Sequence, residues 1–278
     1  MNTEKKYSPI GIFDSGYGGL TILKEIVKKL PQYDYLYLGD NARAPYGSRS
    51  FETVYEYTLQ SVNYLFNQGC HLVILACNTA SAKALRTIQQ KNLPLMAPHK
   101  RVLGVIRPTT ELIGNYTKTN CVGVLGTAGT ISSGSYLVEI EKFFPNVNVY
   151  QQACPMWVPL IENNELDNVG ADYFIEKYVG NLMQQQPTID AIILGCTHYP
   201  IIEQKIKQYL PAHVKLLSQG AIVASSLNDY LQRHVLLEKN CSKNASLQFC
   251  TTDLPEVFDK AASIFFDTEI KSKRVELR

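Results

Sequence analysis

The chain has 278 residues, of which 45% are hydrophobic and 19% charged, and its formal net charge is +2 at pH 7. This composition is typical of a globular protein with a buried core and argues against a disordered chain. The small net charge, without a long Lys/Arg block, argues against a nucleic-acid-binding surface. Because no apolar run reaches 18 residues, we expect no membrane helix.

Cysteine usage limits the kinds of site to expect. Seven cysteines are present, and none forms a C-x-x-C pair. That pattern argues against a zinc ribbon, a thioredoxin-type redox site and a disulfide scaffold, so we predict no metal site. The first residues, MNTEKKYSP, lead directly into a strand pattern and not into an apolar signal sequence. We therefore expect a cytoplasmic protein.

Strand and helix patterns alternate along the first hundred residues, which predicts an α/β fold. A Gly-rich turn, Asp14–Gly19, follows the first strand and favours anions at a helix N-terminus, although GYGG is not the dinucleotide motif G-x-G-x-x-G. The predicted strands are Ile10–Phe13, Asp34–Gly39 and Leu72–Ala76, and the helices after them begin near Leu20, Phe51 and Ala80.

The second half of the chain repeats this alternation after a crossover near Arg101–Pro108. The run Cys121–Gly126 with Thr127–Thr130 echoes the opening strand and turn, which favours a duplicated fold. Further strands are predicted at Ala191–Gly195, Lys215–Leu217 and Ser246–Thr251, and further helices at 171–184, 200–209, 219–234 and 255–266. We expect the polar segment Glu238–Ala245 to be a mobile loop and the final KSKRVELR to be a frayed tail.

Two stretches share one pattern, LVILACNTASA at Leu72–Ala82 and AIILGCTHYPI at Ala191–Ile201. Each is an apolar strand that ends in a small residue, a cysteine and then polar side chains. Ligands of open α/β sheets bind at the carboxyl ends of the strands. Each cysteine alone would usually be a buried core residue, but the matched positions predict that Cys77 and Cys196 face one ligand.

Three side chains could move protons to and from these thiols. Asp14 follows a buried strand, although it could equally be the N-cap of the next helix. His198 lies two residues after Cys196, although a lone histidine is often structural. Glu162 has no local feature that distinguishes it from a solvated carboxylate.

Two thiols on opposite sides of one carbon suit the inversion of a stereocentre. One thiol removes a proton from one face, the other delivers a proton to the opposite face, and the roles exchange in the reverse direction. The sequence contains no metal cluster, Schiff-base lysine motif or nucleotide loop that would supply another mechanism.

Six motifs in order carry a resemblance to a known family. They are GIFDSGYGGL (11–20), GDNARAPYG (39–47), ACNTASA (76–82), GTAGT (126–130), CPMWVPLIE (154–162) and LGCTHYP (194–200). With them, the chain resembles the glutamate racemases of the cofactor-independent Asp/Glu racemase superfamily. The resemblance implies no cofactor, and it implies that D-glutamate loses its α-proton to Cys77 and L-glutamate to Cys196.

The same resemblance implies the roles of the surrounding residues. Asp14 would assist Cys77, while Glu162 and His198 would assist Cys196. The residues implied to bind glutamate are Asp14, Ser15, Tyr46, Gly47, Asn78, Thr79, Thr127, Thr130, Thr197 and His198. Two segments depart from the family pattern: Gly104–Thr110 lacks the acidic residue and glycine of the usual GVI-x-PG, and Ser218-Gln219-Gly220 stands where many members have Asp-Ser-Gly.

We therefore predict two pseudo-symmetric α/β sandwich domains with mainly parallel sheets and the active site between them. The first would comprise residues 1–103 and 217–278 and carry Cys77; the second would comprise residues 104–216 and carry Cys196. The resemblance implies a supply of D-glutamate for peptidoglycan and leaves the oligomeric state open, with a homodimer among the alternatives. A related aspartate or hydantoin racemase, and a DNA-gyrase-binding role, are the alternative functions.

Overall fold

A computed structural model describes residues 8–277; residues 1–7 and Arg278, which the predicted first domain includes, lie outside the described residues. The described chain forms two wholly parallel sheets, one with strand order β10-β9-β2-β1-β3-β4 and the other with order β6-β5-β7-β8. The strands are β1 Ile10–Asp14, β2 Tyr35–Gly39, β3 Leu72–Leu75, β4 Arg101–Gly104, β5 Cys121–Gly126, β6 Asn148–Ala153, β7 Ala191–Gly195, β8 Lys215–Leu217, β9 Leu247–Thr251 and β10 Ser272–Arg274.

Helices connect the strands, as parallel sheets require. The α-helices are α1 Leu20–Lys29, α2 Phe51–Asn67, α3 Asn78–Lys83, α4 Leu85–Thr87, α5 Leu93–Met96, α6 Ile106–Thr110, α7 Ala128–Ser132, α8 Ser135–Phe143, α9 Trp157–Glu162, α10 Val169–Gln185, α11 Glu203–Gln208, α12 Gly220–Arg233, α13 Val235–Asn240 and α14 Pro255–Phe266. A π-helical turn spans Ile88–Asn92, and 3₁₀ turns span Asn41–Arg43, Ile113–Asn115 and Tyr199–Ile202. Among residues 8–277, no helix combines the length and the apolar character that a membrane span needs.

The two sheets share one strand order. In each, the second strand of the half pairs with the first, the first with the third, and the third with the fourth, giving β2-β1-β3-β4 and β6-β5-β7-β8. The C-terminal strands β9 and β10 extend the first sheet beyond β2. This repeated order confirms the predicted α/β class with mainly parallel sheets. Strand β4 ends at Gly104 and β8 at Leu217, each one residue past the predicted domain limits. The domain boundaries themselves stay a prediction.

The central strands are buried along their whole length, because helices cover both faces of a parallel sheet. Every residue of β1, β3 and β7 is buried. One apolar core extends across both halves and includes Ile12 and Leu20 from the first together with Leu194 and Tyr199 from the second. The halves are thus packed against each other through side chains as well as joined by the chain.

Two predictions near the C-terminus need correction, and one strand of the second sheet was not predicted. The expected frayed tail contributes Ser272–Arg274 to the edge of the first sheet, where Lys273 is in register with Cys250. The expected loop 238–245 begins inside helix α13. Strand β6 was not predicted, because its sequence NVYQQA is polar and only partly buried at the edge of the second sheet.

The buried carboxylate of Asp34 holds the segment that follows α13. It accepts hydrogen bonds from the main chain and side chain of Asn244 (3.0 and 2.7 Å) and of Ser246 (2.9 and 2.7 Å). Burial alone would raise the pKa of Asp34, but hydrogen bonds from Ser242, Ser246 and Asn244 outweigh it and lower the pKa to about 2. The polar residues that looked like a mobile loop are therefore ligands of one internal charge.

We predict that Asp34→Asn lowers the free energy of unfolding by about 2 kcal/mol at pH 7, because charge-assisted hydrogen bonds are lost. The folded-state pKa lies below the unfolded value of about 3.9, so the contribution is present above pH 4 and lost as the pH falls toward 2. Urea unfolding of both proteins between pH 7 and pH 3 measures this. Asp167→Asn, at a side chain that is 99% exposed, is the control and should change stability by less than about 0.5 kcal/mol. A pH-independent difference at Asp34 would contradict the assignment.

Candidate active site between the two sheets

Cys77 lies directly after β3, at the carboxyl edge of the first sheet. It is the N-cap of α3, and its sulfur accepts a hydrogen bond from the amide of Ala80 at 3.4 Å. The hydroxyl of Ser15, which follows β1, is 3.3 Å from the same sulfur. The ends of the two neighbouring strands therefore meet at this thiol, as expected for parallel strands.

Asp14 ends β1 beside this thiol and is 1% exposed. Its Oδ2 accepts from the amide of Gly16 at 2.9 Å, whereas Oδ1 is buried without a hydrogen-bond partner. Burial raises the pKa of Asp14, and the charge of His198 partly opposes that shift. Burial and the charge of Asp14 in turn raise the pKa of Cys77 to about 12, and a charge on Cys196 acts in the same direction.

Cys196 occupies the corresponding place after β7 in the second sheet. Its sulfur is 3.8 Å from Nδ1 of His198, and Nε2 of that ring is 2.9 Å from Oε1 of Glu162. Burial disfavours the charged imidazole, but the contacts with Cys196 and Glu162 outweigh it and raise the pKa of His198 to about 10. The predicted trio of Cys196, His198 and Glu162 is therefore a continuous hydrogen-bonded chain.

The Gly-rich turn of the first half packs directly on this trio. A Cβ atom at Gly18 would lie 2.3 Å from Oγ1 of Thr197 and 2.4 Å from Nδ1 of His198, so only glycine fits there. One helical turn later, the hydroxyl of Thr21 donates to the carbonyl of Thr197 at 2.9 Å. The predicted ligand-facing edges of the two sheets are thus in contact.

Hydroxyl groups from both halves form a second contact. The Oγ1 atom of Thr79 is 2.9 Å from that of Thr127 and 3.2 Å from that of Thr130. Nearby, the amide of Gly129 donates to the carbonyl of Gly47 at 2.7 Å. Four of the predicted binding residues, Thr79, Thr127, Thr130 and Gly47, are therefore gathered in one place.

Two predicted binding residues use their side chains elsewhere. The hydroxyl of Tyr46 donates to the carboxylate of Asp40, and its ring packs beside Phe13 and Tyr57. The amide of Asn78 bonds with Gln219 at 2.8 Å and with the hydroxyl of Tyr136 at 2.7 Å. A role of these two residues in ligand binding stays a prediction.

Sequence reasoning did not identify Gln219, Tyr136 and Thr21 as parts of the site. Gln219 was noted only as a departure from a family pattern, and Tyr136 and Thr21 lie inside ordinary amphipathic helices. Their positions depend on contacts over 58 to 176 residues along the chain. No local pattern reports such a contact.

Comparison with known proteins assigns this arrangement to a family. The sequence model of the family described as Asp/Glu/hydantoin racemase matches residues 11–227. The chain belongs to this family. It is 36% identical to a glutamate racemase of a Sulfurihydrogenibium species over 97% of both chains. The family resemblance seen in the sequence motifs is thereby confirmed.

Solved structures agree with this membership. The crystal structure of the glutamate racemase isoform RacE1 from Bacillus anthracis superposes with a TM-score of 0.88 at 33% identity over 98% of both chains. The glutamate racemase of Francisella tularensis in complex with D-glutamate superposes with a TM-score of 0.85 at 36% identity over 97% of both chains. Like these members of the family, the chain has the two-sheet α/β fold.

Metal-ligating side chains are not clustered in the part of the chain that the structure describes. Residues 8–277 contain no group of three or more His, Cys, Asp or Glu side chains that could hold a metal ion.

The contact with Glu162 predicts an unusual titration of His198. The imidazole should stay protonated until about pH 10, and Glu162→Gln should lower its pKa because the paired carboxylate is removed. Since the folded pKa exceeds the unfolded value of about 6.5, the bound proton stabilises the fold below pH 6.5, and this contribution is lost as the pH rises through 10. Nitrogen-15 NMR of the ring measures the titration.

The control is Glu165→Gln, because Glu165 lies close in sequence but contacts Asn168 and not His198. It should leave the His198 titration unchanged. A neutral His198 ring at pH 8 in the unmodified protein would contradict the proposed ion pair.

Proposed function

We propose that this protein interconverts L- and D-glutamate by proton transfer between the substrate α-carbon and two thiols, Cys77 and Cys196, without a cofactor. The observation that carries the proposal is the equivalence of the two cysteines. Each follows the third strand of a half with the same strand order, and each has its own proton-carrying neighbours. Two equivalent thiols supplied from opposite halves suit a reaction that must run equally well in both directions.

The proposed reaction transfers one proton at each face of the α-carbon. In the D-to-L direction Cys77, a thiol with a pKa raised to about 12, first passes its proton to the neighbouring Asp14 carboxylate. The thiolate so formed takes the α-proton, so the C–H bond breaks and a new S–H bond forms. Cys196 then gives its proton to the opposite face, so its S–H bond breaks and the new C–H bond forms. In the L-to-D direction the two thiols exchange roles.

The neighbouring groups return the thiols to their starting states. Asp14 and Ser15 lie beside Cys77, and a buried carboxyl group with a raised pKa can hold or release a proton there. His198 lies beside Cys196, and Glu162 orients its ring and stabilises the imidazolium. The Cys77 side thus relies on a carboxyl group and the Cys196 side on an imidazole.

Substrate recognition is assigned to the polar groups that meet between the sheets. Hydroxyls of Ser15, Thr79, Thr127, Thr130 and Thr197, with main-chain amides near Gly47, suit an amino acid that carries two carboxylates. Asn78 and Tyr46 complete the proposed set, because each side chain keeps hydrogen-bonding positions that its partners within the protein do not use. Glutamate is preferred over aspartate or a hydantoin because the relatives matched over nearly the whole chain are named glutamate racemases.

The cellular role follows from the product. D-glutamate is proposed to supply peptidoglycan synthesis, in the cytoplasm. All seven cysteines are free and buried, which suits a reducing compartment.

Replacement of either thiol tests the mechanism. Cys77→Ser and Cys196→Ser should each lower kcat/KM for glutamate racemisation by at least about 10²-fold, because each removes one proton-transfer group. The loss should be the same from either enantiomer, since the equilibrium constant of a racemisation is fixed at one. Circular dichroism of L- and D-glutamate measures both directions.

The control is Cys250→Ser, because Cys250 is equally buried in β9 but lies outside the site. It should keep activity within about threefold of the unmodified protein. Near-normal turnover in either site variant would remove that cysteine from the mechanism. Faster inversion of aspartate than of glutamate in the same assay would overturn the substrate, and no inversion of either would favour a binding role such as gyrase association.

A further inference from the structure

Three buried side chains form a closed ring of hydrogen bonds next to Cys77. The amide nitrogen of Asn78 donates to Oε1 of Gln219 at 2.8 Å, and Nε2 of Gln219 donates to the hydroxyl of Tyr136 at 3.1 Å. That hydroxyl donates to Oδ1 of Asn78 at 2.7 Å, which closes the ring. All three residues are at most 2% exposed. Because water cannot reach them, their polar groups depend on one another for hydrogen bonds.

Gln219 has further partners that fix its own orientation. Its Nε2 atom also lies 3.0 Å from the carbonyl oxygen of Val105 and 3.1 Å from Oγ1 of Thr109, so the two N–H groups of the amide are shared among three acceptors. A glutamine amide is both donor and acceptor, whereas a carboxylate only accepts and a hydroxyl is too short to reach all these groups. Among the natural side chains, glutamine therefore fits this position particularly well.

The ring joins the two halves where the chain passes between them. Val105 and Thr109 belong to the first crossing, which leaves β4 for the second sheet, and Gln219 belongs to the return crossing after β8. Tyr136 lies on α8 beside the second sheet, and Asn78 begins α3 directly after Cys77. The two segments that depart from the family pattern, around Thr109 and Gln219, are thus bonded to each other.

We propose that Gln219 is a positioning residue, which acts through Asn78 to orient the first turn of α3 around Cys77 and to aim the remaining N–H of the Asn78 amide at a substrate carboxylate. The inference rests on the proposed glutamate racemisation. The ring uses one N–H and one oxygen lone pair of Asn78, so one donor remains for a ligand. The hydrogen-bond partners of the Gln219 side chain are Asn78, Val105, Thr109 and Tyr136 and include neither thiol, so its effect on catalysis passes through Asn78.

Loss of this orientation should weaken catalysis more than it weakens the fold. Misplacement of a reacting group by about 1 Å can cost about 10²-fold in rate. We expect Gln219→Met to lower kcat/KM for glutamate by roughly 10- to 100-fold on that basis. Gln89→Met is the control, because Gln89 also donates its amide to a main-chain carbonyl, that of Val102, but lies outside the site.

A double-mutant cycle with Asn78→Ala separates positioning from general destabilisation. If Gln219 acts through Asn78, Gln219→Met should cause no further loss, within about twofold, once Asn78 is alanine. Should the double variant not fold, Tyr136→Phe replaces Gln219→Met in the cycle, since it deletes only the hydroxyl that bonds to Asn78. Circular dichroism of L- and D-glutamate gives kcat/KM for each variant.

The inference would be overturned if the losses in kcat/KM multiplied in the double variant, or if Gln219→Met kept kcat/KM within twofold of the unmodified protein. Either result would leave the proposed function intact. An unmodified protein that does not racemise glutamate would overturn the proposed function and this inference with it.

Discussion

The close approach of two loops, one from each sheet, is the contact on which the site depends. Gly18 lies against Thr197 and His198, and the hydroxyl of Thr21 bonds to the carbonyl of Thr197. A side chain at Gly18 would displace the side chains of Thr197 and His198, because these occupy the space that a Cβ atom would need. This contact brings the carboxyl edge of the first sheet, with Asp14 and Cys77, against that of the second, with Cys196 and His198, while Glu162 reaches His198 from the end of α9.

The two sides of the site have different electrostatic characters. On the first side, a carboxyl group and a thiol share an environment that raises the pKa of both Asp14 and Cys77. On the second side, the contacts with Cys196 and Glu162 raise the pKa of His198 and favour an imidazolium. Two halves with the same strand order thus place different titratable groups beside their cysteines, a carboxyl group beside Cys77 and an imidazole beside Cys196.

Much of the architecture could be predicted from local sequence, because buried parallel strands are continuous apolar runs. The strands β1, β3, β5 and β7 and the polar groups at their ends follow from such runs alone. Strand β6 and strand β10 were not predicted, since NVYQQA and SKR are polar, partly exposed segments without the apolar run on which the other predictions relied. The segment after α13 looked mobile because its order depends on the distant carboxylate of Asp34.

The candidate site also contains residues that could be predicted from local sequence and residues that could not. Cys77 and Cys196 were identifiable because each follows an apolar strand, and their equivalence was visible as a repeated pattern. Glu162 could not be distinguished from a solvated carboxylate by sequence, because its contact with His198 joins residues that are 36 positions apart. The ring formed by Asn78, Gln219 and Tyr136 was beyond prediction for the same reason.

A crystal structure of the protein with bound glutamate is the most direct test of the central claim. We predict that the sulfur atoms of Cys77 and Cys196 lie on opposite faces of the substrate α-carbon, each within about 4 Å of it, as proton transfer requires. Both sulfur atoms on one face, or a glutamate bound away from either of them, would contradict it.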